Sequence, residues 1–252
     1  MEWLWVVAAS LLAGFVDAVV GGGGLVLLPA LFATYPAAHA ATLLGTNKSA
    51  SVWGTTFAAA QYVRRVRLSW ATMAPAMALS FTGSLAGAWL VTLVSPDFLR
   101  KLLPAVLLGV LVYTLARKDL GRDHAPRYNG RAEWLAAGLV GLVIGFYDGF
   151  FGPGTGSFFV FCLVRFLGYD FLHASAAAKL LNTATNLAAL ALFIAKGHVW
   201  WHFALAMAVA NVLGSLAGTH MALKHGTGLI RGVFIAVVAA LICKTGYDAF
   251  LR

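Results

Sequence analysis

Apolar residues in this chain come in long runs rather than scattered single positions. In the first half the runs cover residues 3–20, 25–35, 42–63, 70–94 and 98–116. In the second they cover 133–151, 157–167, 172–195, 200–223 and 229–250. A helix needs about 20 predominantly apolar residues to cross a bilayer, and most of the runs have that length. The second run of each half does not. At 1.5 Å per residue it makes about 17 Å of helix, too short for a hydrocarbon core of about 30 Å. The first run of each half ends in glycines. Runs one and two therefore predict a broken-helix hairpin whose turn lies inside the membrane, with a single broken span as the alternative. Irregular backbone at that depth must be buried in protein or line a cavity, because lipid cannot satisfy its N–H and C=O groups. Interrupted segments at matching places in two halves point to a transporter's binding site.

The halves repeat each other at a shift of 131 positions, without a gap. Gly14-Phe15-Val16-Asp17 falls on Gly145-Phe146-Tyr147-Asp148, Lys48 on Lys179, Trp70 on Trp201, and Gly83-Ser84-Leu85-Ala86-Gly87 on the identical Gly214-Ser215-Leu216-Ala217-Gly218. A matched Asp, a matched Lys and an identical pentapeptide at one shift are hard to obtain by chance from a small apolar alphabet. The predicted organisation is an all-α polytopic membrane protein of two repeats, 1–120 and 132–252, joined by a basic linker at 121–131.

Composition agrees. The chain is 61% hydrophobic and 11% charged, whereas soluble domains carry about 25% charge. The net charge of +9 would suggest nucleic acid in a soluble protein; here it reflects basic cytoplasmic loops, and no nucleic-acid partner is expected. The one sustained polar stretch, 117–131, contains Arg117, Lys118, Arg122, Arg127 and Arg131 and is assigned to the cytoplasm. With hairpins that return to their own side, Arg64, Arg65, Arg67, Arg165, Lys224 and Arg231 join it there. Arg100, Lys101, Lys196 and Arg252 fall on the other face. The repeat then has an odd number of crossings, so the halves are inverted and both termini lie outside. The start of the chain has an acid and no base, unlike a cleaved signal peptide, so the first run reads as a retained helix. Cys162 and Cys243 sit in apolar runs and read as small hydrophobes.

Ionisable groups at membrane depth are functional candidates. Lys48 and Lys179 occupy matched places in the third runs, where each charge costs about 2.5–3.5 kcal/mol on insertion scales. Lys179, Asn182 and Asn186 share a helix face, as do Lys48, Ser51 and Thr55, with Asn47 adjoining. Each set reads as a polar stripe with a cation at one end, suited to an anion or to a hydrogen-bonded helix interface. The turns at Gly22, Gly23, Gly24 and at Gly154, Thr155, Gly156 open short helices whose first N–H groups can meet an anion. Asp17 and Asp148 lie one helical turn before the glycines. Three roles stay open for them: an ion pair with Lys48 or Lys179, a cap on the turn, or a proton carrier. Gly83-x-x-x-Gly87 and Gly214-x-x-x-Gly218 predict close helix packing. The histidines show no metal-ligand spacing, and His202 and His220 read as helix-end residues. No catalytic arrangement, metal site or cofactor site is evident.

Gly14-Phe15-Val16-Asp17 with its glycine run, Thr46-Asn47-Lys48, the stretch from Gly145 to Pro153, and Ala178-Lys179-Leu180-Leu181-Asn182 resemble the TauE/SafE family. These are the sulfite exporters, also called the toluene sulfonate uptake permeases. The likeness runs nearly end to end and is strongest to a bacterial inner-membrane branch with mostly unassigned substrates. The resemblance implies transport of small sulfur-containing anions such as sulfite or organosulfonates, often outward. Together the readings predict a multi-pass secondary anion transporter of the bacterial inner membrane, whose partners are a small anion and the lipid bilayer, with a homodimer left open. A passive anion channel and a non-transporting scaffold are the alternatives.

Overall fold

The computed structural model describes residues 2–94, positions 98, 105, 108, 109 and 112, and residues 124–225. The fifth run of the second half, most of that of the first, Cys243 and the bases Arg100, Lys101, Arg117, Lys118, Arg122, Arg231 and Arg252 lie outside the described residues. The described chain is helical throughout: α1 (Glu2–Val20), α2 (Gly24–Thr34), α3 (Ala40–Val63), α4 (Trp70–Val91), α5 (Arg131–Phe150), α6 (Thr155–Cys162), α7 (Phe171–Ala195) and α8 (Trp201–His225). A π-helical turn, Leu163–Leu167, extends α6. The starts of α6, α7 and α8 each lie 131 positions after those of α2, α3 and α4. The repeat read from the sequence is therefore also a repeat of elements. Five of these helices, α1, α4, α5, α7 and α8, are long and apolar enough to cross a membrane. The helix α3 is equally long at 24 residues but less apolar, because it carries Thr42, Thr46, Asn47, Lys48, Ser49, Ser51, Thr55 and Thr56.

Packing exchanges partners between the halves. α1 lies along α8 and α4 along α5, and both contacts run through the matched glycines. A Cβ on Gly83 would stand 2.3 Å from the carbonyl oxygen of Leu142, and one on Gly87 2.0 Å from that of Phe146. In the other pair, Gly214 meets Leu11 and Gly218 meets Phe15 in the same way. The small-residue faces thus bring backbones together across the two halves, as a lipid environment favours. In each pair the contact numbers rise together, so the packed helices run in the same direction. α3 and α7 form the centre and run oppositely: Gly45 lies against Phe193, Lys48 against Asn186, and Tyr62 and Val66 cluster with Ala176. Of the α7 span 72% is buried, against 39% for α4 and for α5. The outer helices instead expose Leu139, Val143, Leu205, Val209 and Leu213, the surface expected toward lipid tails. Trp70 and Trp201 open α4 and α8 and are largely exposed, as interfacial anchors are.

The hairpin alternative is favoured in both halves. Trp3, from the start of α1, and Tyr35, from the end of α2, line one cavity with Trp200 and Phe203. In the second half, the Tyr169 hydroxyl donates to Glu133 Oε1 at 2.5 Å, joining the end of the α6 segment to the start of α5. Each short helix returns to the end of the bundle its partner left. Arg64, Arg65 and Lys224 share a cavity at one end, and Thr72 and Glu133 meet there at 3.1 Å. The other end carries Thr42 and His198, hydrogen-bonded at 3.1 Å.

Candidate functional site

The site is assembled where the glycine turns of the two hairpins touch. The backbone N–H of Ser157 donates to Gly21 O at 3.1 Å, and its hydroxyl donates to Val20 O at 2.5 Å. Gly21 has φ +76°, and a Cβ there would lie 2.4 Å from the carbonyl carbon of Gly156. Two backbones can approach this closely only because neither residue has a side chain. The turns therefore contact each other, and Gly154, with φ 78°, caps α6.

Around this contact both lysines find carboxylates, and each pair crosses between the halves. Lys48 Nζ donates to Asp148 Oδ2 at 2.7 Å and to Asn186 Oδ1 at 2.9 Å. Lys179 Nζ donates to Asp17 Oδ2 at 2.9 Å and to the Asp17 carbonyl oxygen. The pairs are bridged: Asn186 Nδ2 donates to Thr55 Oγ1 at 3.3 Å, and Thr55 Oγ1 donates to Asp17 Oδ2 at 3.3 Å. The result is one chain of hydrogen bonds, Asp148–Lys48–Asn186–Thr55–Asp17–Lys179, across the middle of the bundle. Lys48, Lys179, Asp148, Thr55 and Asn186 are all nearly inaccessible. Breaking either pair on one side leaves a buried, uncompensated charge, which costs about 3–5 kcal/mol.

Two of the three roles left open for the aspartates are occupied together. Each is an ion-pair partner, and each also holds its own turn. Asp17 Oδ1 accepts from the Gly23 N–H at 3.4 Å, whereas Asp148 Oδ1 accepts from the Thr155 hydroxyl at 2.7 Å. The partners of the polar stripes lie across the helices. Asn186, grouped with Lys179 by helix spacing, turns to Lys48. Thr55, grouped with Lys48, turns to the carboxylate that pairs with Lys179. The facing of α3 and α7 decides this, and intrahelical spacing carries no information about it. Among the described residues the Asn182 side chain bonds only within α7, accepting from Thr185 Oγ1 at 3.3 Å. Ser51 is half-buried and joins neither pair. Asn47 is buried, and its Oδ1 has no hydrogen-bond partner among the described residues; it can accept a hydrogen bond from water or from a protonated solute. Gly22 and Gly24 flank the Gly23 N–H that Asp17 holds.

A second polar group gathers at one end, around the start of α7: His124, Asp170 and His173. His202 is the second residue of α8, a helix-end position as read. His220 lies within the last two turns of α8 and lines the cavity of Arg64, Arg65 and Lys224.

Comparison with known proteins gives one answer along the whole chain. The family model described as "Sulfite exporter TauE/SafE" matches residues 6–245. A protein of Escherichia coli (strain K12) named "Probable membrane transporter protein YfcA" is 38% identical over 95% of this chain and 88% of its own length. "Probable membrane transporter protein ORF9" of a Sinorhizobium species is 36% identical over 94% of this chain and 89% of its own. A "Probable membrane transporter protein" of Haemophilus influenzae is 35% identical, covering 94% and 91%. No solved structure matches the chain. With its apolar helices, paired glycine hairpins and buried ion pairs, the chain belongs to the TauE/SafE sulfite exporter family and is a multi-pass bacterial membrane transporter, not an enzyme.

Proposed function

We propose that this transporter is a proton-coupled secondary carrier of small sulfur-containing anions, sulfite or organosulfonates, moving them outward. The observation that carries the reading is the pair of buried ion pairs, Lys48–Asp148 and Lys179–Asp17, linked through Asn186 and Thr55. In the arrangement described, both lysines are already neutralised by carboxylates. An entering anion has to compete with a carboxylate for its lysine. A buried carboxylate that loses its cation is too costly to leave charged, so a proton neutralises it. Anion entry and proton entry thereby become one event. That exchange is the coupling a secondary carrier needs and a passive pore does not.

The opposed directions of α3 and α7, and the crossed pairing of α1 with α8 and α4 with α5, support two inverted halves rocking about this centre. The end of the bundle with Arg64, Arg65, Arg131 and Lys224 is cytoplasmic on the positive-inside rule. A single cysteine at Asn129 should then be protected from a membrane-impermeant reagent in intact cells, and one at Lys196 labelled. The reverse pattern overturns the orientation. The function is tested in proteoliposomes with sulfite, an alkyl sulfonate and acetate. Saturable counterflow of the sulfur anions that responds to a pH gradient is expected. Linear, gradient-independent flux would make the protein a channel, and no flux with any anion would favour a scaffold.

A further inference from the structure

At the end of the bundle where α7 begins, His124, Asp170 and His173 bring two imidazoles and a carboxylate into one cluster, with one ligand atom from each lying within 4.8 Å of the others. His124 belongs to the polar segment before α5. Asp170 caps α7, its Oδ1 accepting from the His173 N–H at 2.7 Å. The second carboxylate oxygen is left for the rings: Asp170 Oδ2 lies 2.7 Å from His173 Nδ1 and 3.6 Å from His124 Nδ1. The two rings stack at 3.9 Å.

The cluster is built into the backbone as well. Ala125 N–H donates to Gly168 O and Arg127 N–H to Leu167 O, both at 2.9 Å, which lays residues 124–127 along the end of the α6 segment. Gly168 has φ +78°, and a Cβ there would stand 2.1 Å from the Ala125 carbonyl oxygen. A glycine is needed at 168 on both counts, and its presence holds His124 over Asp170 and His173. A cap alone requires none of this, since Asp170 and the His173 N–H complete it.

We propose that His124, Asp170 and His173 form a binding site for a divalent first-row transition-metal ion, with zinc as the representative. Two imidazole nitrogens and a carboxylate oxygen suit zinc, nickel or copper and not magnesium or calcium. In a tetrahedral site with bonds of about 2.0–2.1 Å, ligand atoms lie roughly 3.3 Å apart. The separation of 3.6 Å fits that spacing, and the one of 2.7 Å is a hydrogen bond that opens by about 0.6 Å when the ion replaces the proton between its atoms. The Nδ1 proton of His173 is given up and Nε2 takes one from solvent, so the ring stays a neutral imidazole with its Nδ1 lone pair on the ion. Asp170 supplies the anionic oxygen, Oδ2, which its capping bond through Oδ1 leaves to the rings. Three protein ligands and a partly exposed position leave room for water on the ion, the pattern of an exchangeable site. A bound ion ties the segment between the halves to the first turn of α7, the helix that carries Lys179 and Asn186.

The test is a titration of the purified, tag-free full chain in detergent at neutral pH with Zn2+, repeated with Co2+ for its visible absorption. Wild type should take up an ion and gain thermal stability. His124→Gln, a change on an exposed segment, should lose that ion and the Co2+ band. Asp170→Asn, which keeps a capping oxygen, should weaken binding by at least roughly ten-fold. His39→Gln and His198→Gln, at the other end of the bundle, should leave the titration unchanged. Binding and spectrum unaltered in both His124→Gln and Asp170→Asn, or no Zn2+ uptake by wild type, would overturn the proposal.

Discussion

The two ion pairs are copies of one motif at a shift of 131 residues, yet their surroundings differ. Asp148 is held by Lys48 and by the Thr155 hydroxyl, and its side chain is 2% exposed. Asp17 is held by Lys179, by Thr55 and by the backbone N–H of Gly23, and its side chain is 12% exposed. The difference begins with the residue that opens the short helix, Thr155 in the second hairpin and Gly24 in the first. A hydroxyl at 2.7 Å ties Asp148 to its own turn. The contact that does this for Asp17 is longer, at 3.4 Å. Lys48 also has the Asn186 amide, while the second partner of Lys179 is only the carbonyl of the residue it already pairs with. The Lys48–Asp148 pair is therefore the closed, structural one. Lys179–Asp17 is the looser one, and under the proposed function the place where an anion and a proton would enter.

The comparison can be broken first at the lysines. Lys48→Met removes the charge from the tighter pair and strands Asp148; it should cost about 3–5 kcal/mol of stability, read as a fall in unfolding temperature of the detergent-solubilised protein. Lys179→Met should cost less, because the more exposed Asp17 can find water. Equal losses would remove the distinction between the pairs. A smaller but still large effect is expected where the turns meet. Gly21→Ala forces a Cβ onto the backbone of Gly156 and should cost about 1–3 kcal/mol as overpacking, checked by the same melting curve, with transport falling alongside.

The aspartates sharpen the functional side. Asp17→Asn keeps shape and hydrogen bonding but cannot titrate. It should remove the pH dependence of transport, while Asp148→Asn lowers stability and leaves the pH dependence in place. On the account given, Lys179→Met should weaken anion binding by about 1.5–3 kcal/mol, the range for hydrogen bonds to a charged group. If neither aspartate variant changes the pH profile, both carboxylates are structural.

The smallest expected effect lies at the far end of the bundle. Burial, then the charges of His39 and Lys196, holds the His198 imidazole below its ordinary value of 6.5. The unfolded chain then binds the proton more readily, so this group's contribution to stability is present above that value and is lost as pH falls below it. His198→Gln should flatten the acid-side decline in melting temperature slightly, without changing the melting temperature at pH 8.

Much of this architecture was legible in the sequence. The 131-residue shift located the starts of α6, α7 and α8, and the short second runs became the returning hairpins. Lys48, Lys179, Asp17 and Asp148 stood out because charge at membrane depth has a high cost. Which aspartate pairs with which lysine did not. A repeat shows which residues are equivalent, whereas contact depends on how the halves face each other, so Lys48 pairs with Asp148 and Asn186 leaves Lys179 for Lys48. The metal cluster was hidden for a related reason. His124 lies 46 positions before Asp170, and the fold alone brings them together, through the ladder at Gly168 and the bond from the Asp170 N–H to His124 Nδ1. Nor does any spacing announce the π-helical turn at Leu163–Leu167.

The central claim is that an anion displaces Asp17 from Lys179 and that a proton follows. It is tested most directly by calorimetric titration of sulfite or an alkyl sulfonate into the purified protein in two buffers of different ionisation enthalpy. That pair of experiments counts the protons exchanged on binding. Wild type should take up a proton with each anion bound, Asp148→Asn should do the same, and Asp17→Asn should bind without uptake. Anion binding by wild type with no proton uptake, or uptake unchanged in Asp17→Asn, would contradict the account.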